Sequence, residues 1–308
     1  MNHSRINRSR RDVLRTLTGV SSCLALGPAW ANRANAIRSI RLNETMAMFT
    51  GAGGNVVAHR ANDDVVLVDG GLREHATALS KVVLTEMSAR RIHTLFNTHW
   101  HPEQTGSNEY LARAGAKIIA HENTKLWLST DAPLPLLTYT YGPLPAIALP
   151  KQTIYTREEL RLGNETIEFG YVPQAHTDGD LYVLFRNANV LVVGGVVSSD
   201  GWSIVDYQTG GWIGGLANGL KQLVALANER TRIVPANGDV MTYAELVSQR
   251  DMYQTLFEST IKLLTKGLSP DEAVAASPTQ GMMPQWGDPT VFVLQAFKSL
   301  WRHHAPDA

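Results

Sequence analysis

The chain has 308 residues, with 28 Lys and Arg against 28 Asp and Glu, 44% hydrophobic residues and 18% charged ones. Balanced charge gives no electrostatic footing for nucleic acid, whose binding rests on clustered cations, and the length is enough for a full hydrophobic core. Past the N-terminus no apolar run is long enough to span a bilayer, so the expected partner is a small-molecule substrate, without nucleic acid and without stable membrane insertion after signal removal; oligomeric state leaves no trace in the sequence.

The N-terminal segment has the three zones of an export signal: Arg5, Arg8, Arg10 and Arg11, an apolar stretch over 13–26, and small residues beyond it. Ser9-Arg10-Arg11-Asp12-Val13-Leu14 resembles the twin-arginine motif, which implies carriage of a folded chain across a bacterial inner membrane to the periplasm. A Sec signal with paired arginines is the alternative. The expected signal is 1–31, with a second cleavage point at 36, leaving 37–308 as a single domain. The sole cysteine, Cys23, lies inside the signal. It loosely fits a lipoprotein box, but apolar residues continue past it. The mature chain would have no thiol for a disulfide or a Cys-metal site, so any metal must be held by His and carboxylates.

Apolar runs at 46–50, 55–59 and 65–68, separated by Gly-rich and Asp-rich turns, predict an opening β-meander. Residues 73–88 have helical spacing, 94–96 read as a short buried strand, 108–114 as a helix and 117–120 as another strand, which together make an α/β unit. The stretch 129–151 is rich in Pro, Leu and Tyr without periodicity and predicts a long covering loop. A second β-rich half follows at 159–162, 166–171, 181–185 and 190–193. A Gly-rich segment, 210–215, leads into a helix over 216–228, and 232–234 form one more strand. Helices then occupy 243–266 and 290–302, with a capped turn at Ser269-Pro270-Asp271-Glu272 between them. Two β-rich halves with helices outside each predict an α/β fold of four layers, αββα.

His99 and His101 are two apart in an extended segment, so both imidazoles leave the backbone on one side while Trp100 faces the other. Histidine pairs also occur as ordinary polar core residues; the surrounding segments give this one its weight. Asn97-Thr98-His99-Trp100-His101-Pro102-Glu103-Gln104-Thr105-Gly106 resembles the His-X-His-X-Asp-His signature of the metallo-β-lactamase superfamily. The similarity extends to Gly51-Ala52-Gly53-Gly54-Asn55-Val56, Val66-Leu67-Val68-Asp69-Gly70-Gly71 and Ala175-His176-Thr177-Asp178-Gly179-Asp180. It also reaches 190–195 and Val234-Pro235-Ala236-Asn237-Gly238.

The resemblance implies the αββα sandwich, a metal ion held by His99, His101 and His176, and Asp69 supporting that site from beneath. Four departures fall on the family's other half-site: Glu103 stands in place of Asp, Gln104 of His, Gly195 of a bridging Asp, and Asn237 of the last His. Gly195 has no side-chain donor, and the neutral amides of Gln104 and Asn237 bind zinc far more weakly than imidazole does. One Zn2+ per chain is therefore expected. Asp178 and Asp180, beside His176, are expected to support the site without ligating the ion.

The expected function is a periplasmic mono-zinc hydrolase of a small ester, lactone or amide, using a zinc-bound hydroxide with Glu103 as general base. Against the base role stands Glu103 as a solvated carboxylate in a relict site. Against the enzyme stands a catalytically silent binding or accessory protein of a periplasmic pathway. Trp202, Tyr207 and Trp212 either wall an apolar pocket or pack internally.

Overall fold

The computed structural model describes residues 36–131 and 141–304. The expected signal with its Cys23 lies outside them, as do residues 132–140 of the expected covering loop. The first sheet runs β1 (Arg38–Arg41), β2 (Met46–Thr50), β3 (Val56–Ala61), β4 (Asp64–Val68), β5 (Arg91–Phe96), β6 (Lys117–His121) and β7 (Gln152–Ile154), in spatial as in chain order. Strands β1 to β4 pair antiparallel and β4 to β7 parallel. The change of sense follows the connections. Tight turns return the chain antiparallel, whereas a parallel neighbour needs a crossover, supplied here by α1 (Ala76–Glu86), by α2 (Pro102–Thr105) with α3 (Asn108–Arg113), and by α4 (Glu122–Ser129).

The second sheet has β8 (Arg157–Leu162), β9 (Glu165–Val172), β10 (Asp180–Phe185), β11 (Val190–Gly194) and β12 (Arg232–Pro235), ordered β12-β11-β10-β9-β8. It is antiparallel except where β11 meets β12 across the α5 (Ile213–Leu226) crossover. The chain then adds α6 (Tyr243–Thr265), α7 (Pro270–Ala275) and α8 (Thr290–His304). Thr242 with Glu245 and Ser269 with Glu272 close reciprocal capping boxes at the starts of α6 and α7, each satisfying backbone donors that a helix leaves unpaired.

Three apolar layers fill the spaces. Met46, Met48, Val66, Val68 and Phe96 meet Phe169, Leu181 and Val183 between the sheets. Phe49 and Leu67, on the opposite faces of their strands, pack under Leu79 and Val83 of α1. Leu184, Leu191 and Val193 pack under α5, α6 and α8 through Leu216, Leu220, Tyr253 and Phe292. Strands buried on both faces read as continuous apolar runs, which is the pattern of β2, β4, β10 and β11. Each such buried side chain contributes about 1.5–3 kcal/mol. The layering is αββα, as predicted.

Three elements carried no sequence signal. Strand β1, Arg-Ser-Ile-Arg, is exposed along its length and held by β2 alone, so it has no apolar pattern. Strand β7 is three residues long. Helix α4 starts at His121, whose ring accepts the Asn123 N–H in place of the usual hydroxyl, carboxylate or amide cap.

Candidate metal centre

Strand β5 delivers the chain at Phe96 to the C-terminal edge of its parallel neighbours, where open α/β sheets place their sites. Asp69 waits there at the end of β4. Its backbone is in the left-handed region at φ 65°, a strained conformation for a residue with a side chain. The strain has a use: Asp69 Oδ1 accepts the Thr98 N–H at 2.8 Å and Oδ2 accepts the Thr98 hydroxyl at 2.9 Å. Burial pushes the Asp69 carboxyl up to about 8. Asn97 donates to the Gln104 carbonyl and exchanges amide hydrogen bonds with Asn108, closing the turn that carries His99 and His101.

His176 comes from the other sheet, on the loop between β9 and β10. Asp180 holds that loop by accepting the backbone N–H groups of His176 and Thr177 and the Thr177 hydroxyl. Asp178 faces away, accepting Trp127 Nε1–H at 2.8 Å. The three imidazoles meet edge-on, with ring centroids 4.6 to 4.8 Å apart and interplanar angles of 84° to 88°. Three imidazoles on one zinc place their centroids about 5 Å apart, so the tripod already has the right aperture. One candidate ligand atom from each residue lies within 4.8 Å of the others.

The hydrogen bonds decide which nitrogens face inward. His176 Nδ1 lies 2.7 Å from the Ile204 carbonyl, which can only accept, so Nδ1 carries the proton and Nε2 presents a lone pair. His101 Nε2 lies 3.2 Å from Asp206 Oδ2, which leaves Nδ1 as its inward atom. The Thr98 hydroxyl spends its hydrogen on Asp69 and so accepts from His99 Nδ1 at 3.0 Å; His99 turns Nε2 inward. His101 Nδ1 and His176 Nε2 then face each other at 3.1 Å. Two lone pairs at that distance repel unless a cation lies between them. Burial lowers the pKa of His99 well below its ordinary value, and burial with the neighbouring His101 lowers His176 to about 3. Neutral imidazoles, each with its outer nitrogen bonded, are the form in which histidine binds metal.

A family model described as metallo-beta-lactamase superfamily matches residues 50–256. The chain belongs to the metallo-beta-lactamase superfamily. No curated protein matches it. Among solved structures it is similar to a metallo-beta-lactamase from Pontibacter korlensis, at 16% identity and TM-score 0.59, over 71% of this chain and 99% of that one. The DIM-1 metallo-beta-lactamase is similar at 17% identity and TM-score 0.59, over 71% and 97%.

For a superfamily member, the far side of the cleft is the unusual part. Gly195 sits directly under His176: a Cβ there would lie 2.3 Å from His176 Cδ2 and 2.5 Å from Nε2. The third imidazole occupies the room that a side chain at 195 would need. Gln104 is buried beside Gly54, where a Cβ would come within 3.3 Å of its Nε2. Asn55 pins the segment carrying Asn237 by donating to the Pro235 and Gly238 carbonyls. Glu103, Gln104, Gly195 and Asn237 all line the same cleft of about 540 Å³ with the three histidines. The Glu103 carboxylate has no hydrogen-bond partner among the described residues. Trp202 lines the cleft, whereas Trp212 packs between Phe257 and His303.

Asp206 was not foreseen. It is buried, bonds His101, and accepts the Thr209 hydroxyl at 2.6 Å while Thr209 accepts Trp100 Nε1–H. Burial pushes its carboxyl up, but hydrogen bonding and charge from His101 more than offset that and leave it lowered. Its only sequence signal is an acid in the Gly-rich and aromatic segment after β11, with no motif around it.

Proposed function

We propose that the chain is a mono-zinc hydrolase of the periplasm that cleaves a small ester, lactone or amide. The observation that carries this is the convergence of three imidazoles, each with its outer nitrogen bonded, on a cleft that offers an unpartnered carboxylate. Zinc fits this donor set because three nitrogen ligands leave one coordination position open. When bound, the ion supplies Lewis acidity that brings the pKa of a coordinated water to about 7.

The chain's own residues do the rest. Asp69 through Thr98, Asp206 and the Ile204 carbonyl fix the three rings so that no reorientation is needed at the moment of reaction. Glu103 takes the proton that the attacking water gives up as its oxygen bonds the acyl carbon. It then returns that proton to the leaving oxygen or nitrogen as the acyl bond breaks. Gln104 and Asn237 offer neutral amide donors to the carbonyl oxygen, a weaker clamp than a second ion, so slow turnover or activated substrates are expected. The basic and apolar zones of 1–26 support the periplasmic assignment.

The test is metal analysis of the folded protein with a screen of chromogenic esters, lactones and a β-lactam. Close to one zinc per chain, with turnover abolished in His176→Ala and cut by about 10²-fold or more in Glu103→Gln, is the expected result. A protein that takes up no metal after reconstitution would sink the proposal. Metal uptake with Glu103→Gln as fast as the parent would remove Glu103 from its role as base.

A further inference from the structure

The charge lining the cleft is of one sign. Glu103, Asp200 and Asp206 contribute carboxylates, and among the described residues that line it there is no Lys or Arg. An ion on the tripod adds positive charge at the floor, where Asp206 and Glu103 offset it. Asp200 is different: it stands exposed on the rim, holding only the Ser198 hydroxyl at 3.1 Å. A substrate carboxylate entering here would meet carboxylates and find no lysine or arginine among the described lining residues to bind it.

The rest of this lining includes apolar and neutral groups. The Trp202 ring is fixed by stacking on Phe292 at 5.1 Å and by an edge contact with Trp286 at 5.3 Å. Ile204 and Val291 stay 47% and 61% exposed beside it, which large aliphatic side chains do at a mouth that takes up apolar surface. Ser203 is 3% exposed, lines the cleft, and its hydroxyl has no hydrogen-bond partner among the described residues. A buried hydroxyl left unpaired costs free energy, and a ligand's carbonyl or hydroxyl would remove that cost.

Resting on the proposed hydrolase reading, we infer that this cleft selects substrates by charge: it favours a cationic, then a neutral ester, lactone or amide with an apolar group against Trp202, and disfavours one carrying a carboxylate. Asp200 is the specificity residue, acting at the rim on the incoming charge. β-Lactams that bear a carboxylate on their ring system belong to the disfavoured class.

The experiment uses matched aryl esters whose acyl chains end in trimethylammonium, tert-butyl or carboxylate, with kcat/KM measured on the zinc-loaded protein and its Asp200→Asn and Asp200→Lys variants. The expected order is cationic, neutral, anionic, with steps on the order of tenfold. Asp200→Asn narrows the spread and Asp200→Lys reverses it. Added salt compresses the ratios, as a charge effect requires and a steric one does not. Calorimetry with phenyltrimethylammonium and benzenesulfonate, on the same folded variants checked by circular dichroism, reads the preference without turnover. Equal or anion-favouring binding and rates overturn the inference while leaving the hydrolase standing. Cation-favoured binding with no ester cleaved removes the hydrolase while leaving the charge preference standing.

Discussion

Each ring of the tripod leans on a different kind of acceptor: a hydroxyl for His99, a carboxylate for His101, a backbone carbonyl for His176. Of these, Asp206 and Thr98 are partners that a point substitution can change without touching a ligand, and only Asp206 is a carboxylate. Asp206→Asn keeps the shape but removes the charge that favours a proton on His101 Nε2, so zinc affinity should fall about 10- to 100-fold, measured by competition with a chromogenic chelator. An unchanged affinity would show that Trp100 and Thr209 suffice to orient the ring. Gly195→Ala should cost zinc affinity on the order of tenfold or more, because its Cβ would press on His176. The same contact explains why restoring an acid there, as Gly195→Asp, is expected to lose the first ion instead of gaining a second. A gain to two zincs per chain in that variant would count against the packing argument.

The strands that were easy to read are those with both faces buried, since burial on two sides demands an unbroken apolar run and the turns at its ends mark its length. The two histidine loops were legible because His99, His101 and His176 lie in short segments, 97–106 and 175–180, that resemble family motifs despite Glu103 and Gln104. The features that escaped are held by long-range contacts. Asp206 reaches His101 across 105 positions, and no local spacing records such a pair. Helix α4 escaped because its cap is an imidazole. That cap has a measurable consequence. Burial lowers His121 to about 4 from an ordinary 6.5, under the stacked Tyr171 ring at 4.0 Å. Between those values the unfolded chain takes up a proton that the folded chain refuses. Stability is therefore full above pH 6.5 and declines as the pH falls toward 4. His121→Asn retains a good cap and removes the titration, so its urea unfolding free energy should fall less between pH 7 and pH 4.5, by roughly 1–2 kcal/mol. Parallel pH profiles for the two proteins would place the acid sensitivity elsewhere.

For the molecule as a whole, the tripod spans the sandwich. His99 and His101 extend from the first sheet and His176 from the second, so an ion there would tie together two layers that also meet through apolar contacts and hydrogen bonds, among them the Leu181 N–H to the Thr98 carbonyl and Asn55 to Pro235 and Gly238. Zinc at a thousandfold excess over its dissociation constant should add about 4 kcal/mol and raise the thermal midpoint by roughly 8 °C, reversed by EDTA; a midpoint indifferent to both would mean the ion does not bind the native chain selectively. With one cysteine in its sequence, the chain can form no internal disulfide. Chelation between His101 and His176, 75 positions apart, closes a loop of the size for which a covalent bridge removes about 4 kcal/mol of chain entropy from the unfolded state. With the proposed ion bound, the protein would have a cross-link whose release agent is acid or a chelator, and to which a reductant is blind.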